Sequence, residues 1–246
     1  MTYPKTAELL AAINTWTRPL VDHPAFRQLV RSKIGSALDW EDDWPTNGER
    51  VSEVVLPELL AARHDAVMQF YNLWTAAERL KTVEFYFRRY PFKGLPVNRH
   101  EHLENMCAMF FSHFYVFQER LRVYLNALNK VSAPANIDVG ETLKLYQRRF
   151  NAELRERHGG THFEPFDDLT INAVMLHSMR DHDRPTGDRA GAAYAYRKAS
   201  REWAGHAKRG GERVAAFLET IADATLLVAT FLQTPPSPGP DEIKTK

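Results

Sequence analysis

Three polar side chains in one short segment have the chemistry to act on a phosphate ester. Arg157 and His158 are adjacent, and His162 follows after three intervening residues. Histidine titrates near neutral pH and can therefore both accept and supply a proton. Arginine presents a planar fork of donors that matches a phosphate group. RNA cleavage without a metal needs a base for the 2′-hydroxyl, an acid for the leaving oxygen and a cation beside the phosphorane, and these side chains could fill those roles.

The segment resembles the signature of the HEPN domain superfamily, in which an arginine is followed by Asn, Asp or His and then, after four to six residues in all, by a histidine. Arg157, His158 and His162 occupy those positions. The resemblance implies an all-α fold over roughly residues 52–232 and a metal-independent RNA endonuclease of the toxin or defence type, without a cofactor. In such an enzyme Arg157 would hold the phosphate, His162 would transfer protons and His158 would orient them.

The resemblance also implies partners. One arginine and one histidine per chain are too few groups to provide the base, the acid and the cation. HEPN chains usually pair so that both motifs face one groove, which predicts a symmetric homodimer acting on RNA. An antitoxin or a nucleotidyltransferase is a further partner that the family suggests.

The sequence departs from the family pattern at two places. Gly159-Gly160 stands where family members carry bulkier residues, and Glu164 stands where some toxins have a tyrosine that a nucleotidyltransferase modifies.

Basic residues before the motif predict a strip that could bind a nucleic acid backbone. They are spaced mostly at helical intervals: Lys144, Arg148, Arg149 and Arg155. Three glutamates, Glu141, Glu153 and Glu156, offset much of this charge, so a solvated helix face of mixed charge is the alternative interpretation. For the motif itself, the alternatives are a helix C-terminal cation at Arg157 and a locally hydrogen-bonded loop histidine at His162.

Composition limits the other classes of function. The chain of 246 residues has a net charge of +1, so any basic binding site must be a local patch and not a global field. Cys107 is the sole cysteine, lies in an apolar run and is expected to be a buried core residue. We expect a cytoplasmic protein without a membrane partner, because there is neither an apolar signal core nor an apolar run of about 18 residues.

No metal site is predicted from the spacing of histidines and carboxylates. His158 and His162 are four residues apart, but the glycine pair between them makes a helix there improbable, and the glutamate of a zinc-protease motif is absent. His177 with the run Asp181-His182-Asp183 lacks a second cluster at ligand spacing. The sequence contains no phosphate-binding or dinucleotide-binding glycine motif and no serine nucleophile motif.

The elements that would position the motif are all predicted to be helices, since apolar residues recur at helical spacing almost throughout. The expected helices cover residues 6–18, a segment beginning at Pro24, and residues 52–90, 99–129, 138–157 and 192–232, with a shorter one that Asp167 or Asp168 opens and that runs to 180. Ser52, Asn98 and Asp138 are the expected caps of their helices. Loops are expected at 39–48, 91–96, 132–135, 158–165 and 180–191. A strand is the alternative within 168–180, and Gly210-Gly211 is expected to kink or split the last helix.

Taken together, the sequence predicts an up-and-down bundle of long helices over residues 51–233. A helical extension over residues 1–50 packs on the bundle, and a disordered tail covers 234–246. The function alternative to the ribonuclease is a non-catalytic HEPN-like module that binds RNA, a nucleotide or a partner protein. An unrelated helical scaffold, whose motif match is chance, is the remaining alternative.

Overall fold

The computed structural model describes residues 3–24, 26–27, 54–92, 96–132, 134–162, 168–182, 189–236 and 244–245. In chain order the elements are α1 (Pro4–Asp22), β1 (Val54–Val55), α2 (Glu58–Phe87), α3 (Arg99–Asn129), α4 (Val139–Arg149), α5 (Asn151–His162), α6 (Leu169–His182), α7 (Arg189–Val228), a 3-10 helix (Thr230–Gln233) and β2 (Lys244–Thr245). The prediction of an all-α helical bundle is confirmed, with only two short strands beside the helices in the described ranges.

The two strands concern the predicted disordered tail. β1 and β2 pair antiparallel, with Val54 opposite Thr245 and Val55 opposite Lys244. Of the predicted disordered tail, only residues 234–236 and the β2 residues Lys244 and Thr245 are described. Such a pairing leaves no trace in local composition.

The chain divides into two compact units. The first comprises Met1–Phe70, Leu125–Ile137 and Ile221–Lys246, and the second comprises Tyr71–Tyr124 and Asp138–Thr220. In the first unit, α1 buries a face at helical spacing formed by Leu9, Ile13, Trp16 and Leu20. The Trp16 ring meets the Phe231 ring edge-on at 5.5 Å. Of the predicted second helix only Pro24, Phe26 and Arg27 are described, and the acidic loop at 39–48 lies outside the described residues.

The start of α2 differs from its prediction. Ser52 was the expected cap, but the helix begins at Glu58, directly after Pro57. A proline disfavours helical backbone in the residue before it, which favours a helix start directly after Pro57. By contrast, α3 matches its predicted bounds, and its start is capped by Asn98, whose side-chain oxygen accepts from the Glu101 N–H at 2.9 Å.

The predicted helix over 138–157 is two helices. Asp138 caps α4 as expected, since its carboxylate accepts from the Glu141 N–H at 2.9 Å. The helix ends at Arg149, because Phe150 leaves the helical conformation with φ −120° and ψ 26°. The Phe150 ring is fully buried in the second unit. The ring is buried by residues that are distant in the sequence. Helical periodicity therefore does not reveal the break between α4 and α5.

Two predicted interruptions are absent. α5 continues through Gly159-Gly160 to His162, where a loop was expected. Glycine costs about 1 kcal/mol relative to alanine in a helix, but unlike proline it keeps its N–H group and does not forbid the helix. Likewise α7 is helical across Gly210-Gly211 over 40 residues, and the segment after Asp168 is the helix α6 and not a strand.

The glycine pair in α7 allows close packing within the second unit. A Cβ atom at Gly210 would lie 2.9 Å from ring carbons of Phe110 on α3. A Cβ atom at Gly211 would lie 2.9 Å from the Cα atom of Lys81 on α2. Both distances are shorter than atoms tolerate, so these two positions need glycine for space and not for backbone freedom.

Candidate nucleic-acid interface

The helix α4 separates a buried face from a basic exposed face. Tyr146 is its buried residue, while Lys144, Gln147 and Arg148 are exposed. These three exposed side chains and Asn151, at the start of α5, line an open cavity of about 420 Å³. Two cations and two amides around an open cavity are suited to phosphate oxygens, which accept hydrogen bonds from both types of donor.

The structure brings together only part of the predicted basic strip. Lys144 and Arg148 line the same cavity, although Lys144 also pairs with Glu141 at 2.8 Å. Arg148 is exposed and forms no ion pair or hydrogen bond with another described residue. Arg149 and Arg155 are exposed but do not line this cavity. Of the four cations of the predicted strip, Lys144 and Arg148 therefore line this cavity together.

An aromatic cluster fixes α4 and the start of α5 in the second unit. The Tyr146 ring stacks on Phe117 at 5.3 Å and lies 4.6 Å from Phe150. Phe217 on α7 meets both Tyr146 and Phe150, at 5.3 and 6.2 Å. The Tyr146 hydroxyl donates to the backbone carbonyl of Phe114 at 2.8 Å. Burial raises the pKa of Tyr146 well above its ordinary value, so the hydroxyl remains a neutral donor.

Arg213 on α7 is a residue that sequence reasoning missed. Its guanidinium forms an ion pair with Glu153 on α5 and donates to the carbonyl of Arg149, the last residue of α4. It also lies 4.9 Å above the Phe150 ring. One side chain therefore holds both sides of the break between α4 and α5. Its partners lie 60 and 64 residues away, and no local pattern could have identified them.

The motif segment lies on α5, the helix that Arg213 contacts through Glu153. Arg157, His158 and His162 all belong to α5, and positions 158 and 162 are about one helical turn apart. This corrects the expectation that Arg157 ends a helix and that His162 lies in a loop. The side chains of the three residues lie outside the described part of the structure, as does Glu164.

A second cavity, of about 300 Å³, adjoins the same helix. Its aromatic lining comes from Phe110, Phe111 and Trp203, and its polar lining includes His206, Arg209 and Glu156. Glu156 directly precedes Arg157 in α5. The Trp203 and His206 rings lie 5.4 Å apart and tilted by 37°, and Arg209 forms no ion pair with a described residue. Sequence reasoning missed this groove, although Trp203, His206 and Arg209 recur at three-residue spacing, which is one helix face.

Other candidate chemistry receives no support from the described residues. Cys107 is fully buried and burial raises the pKa of its thiol far above the ordinary value, as expected for a core residue. No group of three or more metal-ligating side chains is found among the residues that the structure describes. The aspartates and the histidine of the run 181–183 have no described side chains. None of the described helices is both long and apolar enough to span a membrane.

Comparison of the chain with protein-family models, with curated proteins and with solved structures gives no match. Membership of the HEPN superfamily, inferred from Arg157, His158 and His162, therefore stays a prediction. The structure shows the all-helical fold.

Proposed function

We propose that the protein is a HEPN-like RNA endonuclease that cleaves without a metal ion and acts as a homodimer. Arg157 holds the scissile phosphate, His158 orients the reacting groups and His162 transfers protons. The observation that carries the proposal is the position of this motif: it lies on α5, whose first residue, Asn151, lines the cavity of about 420 Å³ together with Lys144, Gln147 and Arg148. One stretch of bound RNA could then contact the phosphate-binding cavity and the proton-transfer motif together.

The chemistry is a transfer of the phosphoryl group within the RNA strand. The 2′-oxygen attacks the adjacent phosphorus while one histidine removes the 2′-proton. The bond from phosphorus to the 5′-oxygen breaks, and a second histidine protonates that leaving oxygen. The products are a 2′,3′-cyclic phosphate and a 5′-hydroxyl. Each chain supplies one His162, so a homodimer would supply both the base and the acid, while Arg157 stabilises the phosphorane charge.

The experiment is RNA cleavage in EDTA by the wild type and by His162→Ala, with dimerisation followed by light scattering. We expect cyclic phosphate ends from the wild type and a loss of at least about a hundredfold in rate for the variant, which is the usual contribution of a general acid or base. Arg120→Ala is the control for general effects, because Arg120 is an exposed α3 residue without a described polar partner. Cleavage that persists in His162→Ala would overturn the proposal.

A non-catalytic module that binds RNA or a nucleotide is the second candidate. The groove of Phe111, Trp203, His206 and Arg209 favours it, because the exposed His206 ring can stack on a base and the exposed Arg209 side chain can contact phosphate. His206→Ala separates the two candidates. If the groove only helps to hold RNA for cleavage, the variant raises KM and leaves kcat unchanged. If folded wild-type dimer binds RNA but never cleaves it, and His206→Ala weakens that binding, the second candidate replaces the first.

A further inference from the structure

A third cavity in the second unit is lined by three arginines and two hydroxyl-bearing residues, beside Ala204 and Gly205. It has a volume of about 310 Å³. Arg197 and Arg201 contribute from α7, where they are one helical turn apart, and Arg88 contributes from the residue after α2. Tyr196 and Ser200 provide hydroxyl groups to the same lining. No carboxylate belongs to the described lining of this cavity.

The arginines have little compensating negative charge. Arg88 is 3.6 Å from the Glu84 carboxylate, while Arg197 and Arg201 make no ion pair or hydrogen bond with another described residue. Arg99 adds a fourth guanidinium, 5.5 Å above the Tyr196 ring. Like charges one turn apart destabilise a helix, so this arrangement favours an anion that neutralises it. Within a chain of net charge +1, this is a strongly positive local site.

The hydroxyls give the cavity a buried polar floor. Tyr196 is only 8% exposed, and its buried hydroxyl interacts with the Ser200 hydroxyl. The neighbouring Ser200 hydroxyl donates to the Phe87 carbonyl, so its proton is already committed. Burial raises the pKa of Tyr196, which therefore stays a neutral donor.

We propose that this cavity binds a phosphomonoester dianion, held by Arg88, Arg197 and Arg201. Guanidinium forks bind phosphate oxygens in pairs, and a terminal phosphate offers three such oxygens and up to two charges. The volume is at the lower limit of ordinary ligand pockets, which fits a phosphate with a small organic group or the terminal phosphate of a strand. The site is separate from the proposed cleavage chemistry, and neither proposal depends on the other.

The test is calorimetric titration of the full-length protein with inorganic phosphate at low ionic strength. We expect one site per chain, with affinity reduced at least about tenfold in Arg201→Gln, because each variant of this kind removes charge-assisted hydrogen bonds. Arg120→Gln, with the same change of charge elsewhere on the second unit, should bind phosphate like the wild type.

The source of the phosphate is settled by competition against bound inorganic phosphate. Competition by glycerol 3-phosphate but not by an oligoribonucleotide supports a small phosphorylated molecule. Competition by a 5′-phosphorylated oligoribonucleotide, and not by its 5′-hydroxyl counterpart, supports the terminal phosphate of RNA. Absence of phosphate binding by folded wild type at millimolar concentration would overturn the proposal. So would equal loss of binding in Arg120→Gln and Arg201→Gln, or equal competition by both oligoribonucleotides, since each would show unspecific charge attraction.

Discussion

The hydroxyl of Tyr146 on α4 donates a hydrogen bond of 2.8 Å to the backbone carbonyl of Phe114 on α3. The two residues are 32 positions apart, and both are fully buried. This bond closes the aromatic cluster that holds α4, and α4 carries the cations Lys144 and Arg148. The hydrogen bond therefore connects the core of the second unit to the helix that carries its exposed cations.

Replacing Tyr146 with phenylalanine should remove this bond while keeping the ring. The expected loss in the free energy of unfolding is about 1 kcal/mol, which is typical for a hydrogen bond deleted in a protein interior. Urea denaturation followed by circular dichroism measures it. Tyr194→Phe is the matched control, because Tyr194 is 64% exposed and makes no hydrogen bond with a described residue. A loss as large in Tyr194→Phe would contradict the role given to Tyr146.

Alanine at Gly211 should destabilise the protein, whereas alanine at Gly205 should not. At Gly211 the new methyl group would meet the Lys81 backbone at 2.9 Å, and overpacking of this kind costs about 1–3 kcal/mol. At Gly205 the nearest atom, at 3.4 Å, belongs to the flexible Arg209 side chain. There the better helix propensity of alanine should stabilise by up to about 1 kcal/mol. Thermal unfolding of the two variants is the measurement, and equal melting temperatures would contradict this packing argument.

Asp168 should make stability depend on pH. Burial alone would raise the pKa of its carboxyl, but hydrogen bonds outweigh this effect and lower the pKa. The donors include the Thr170 hydroxyl and the N–H groups of Ile171 and Thr170, at 2.5, 3.0 and 2.9 Å, and the side chain of Trp203 also contributes. Because the pKa in the folded state is below that of the unfolded state, the stabilisation is complete above the ordinary pKa of about 3.9 and is lost as the pH falls through the folded value.

The corresponding variant is Asp168→Ala. At pH 7 it should lower the free energy of unfolding by about 1 kcal/mol, the usual cost of a lost helix N-cap. The difference from the wild type should shrink as the pH falls below about 4. Asp65→Ala, which changes an exposed aspartate within α2, should alter stability by less than about 0.5 kcal/mol. A difference between Asp168→Ala and the wild type that does not change with pH would contradict the role of the charge.

Removing the Arg213 side chain should loosen the junction between α4 and α5. Arg213→Ala loses the ion pair with Glu153, the bond to the Arg149 carbonyl and the contact with the Phe150 ring. We expect faster amide hydrogen exchange at residues 150–156, because local opening then costs less free energy. Lys208→Ala, on an exposed position of the same helix, provides the comparison. Unchanged exchange at the junction in Arg213→Ala would show that the aromatic cluster alone holds it.

Arg148 should contribute to RNA affinity through phosphate contact alone. For Arg148→Ala we expect weaker binding of all single-stranded sequences, and a slope of log K against log salt that is smaller by about 0.7 for each lost phosphate contact. Fluorescence anisotropy at several salt concentrations measures both quantities. Arg120→Ala should leave the slope unchanged. A sequence-dependent loss, or an unchanged slope for Arg148→Ala, would indicate that this cavity is not a backbone-binding surface.

Helical periodicity by itself determined the fold class and the approximate positions of most helices. The spacing of Leu9, Ile13 and Trp16, and the caps at Asn98, Asp138 and Asp168, are local features, and the structure has the helices where these features predict them. It also identified Arg157, His158 and His162 as a candidate motif, whose function stays a prediction. Local rules suffice here because hydrogen bonds within a helix connect residues only four positions apart.

Tertiary structure alone decided the break at Phe150, the continuity of α7 through Gly210-Gly211 and the pairing of β1 with β2. Each depends on a partner that is distant in the sequence, such as Phe217, Phe110 or Thr245. The same holds for the sites: Arg213 meets α4 and α5, and Arg88 meets the face of Arg197 and Arg201, only after the chain has folded. Packing and charge act through space, and a sequence pattern records only distance along the chain.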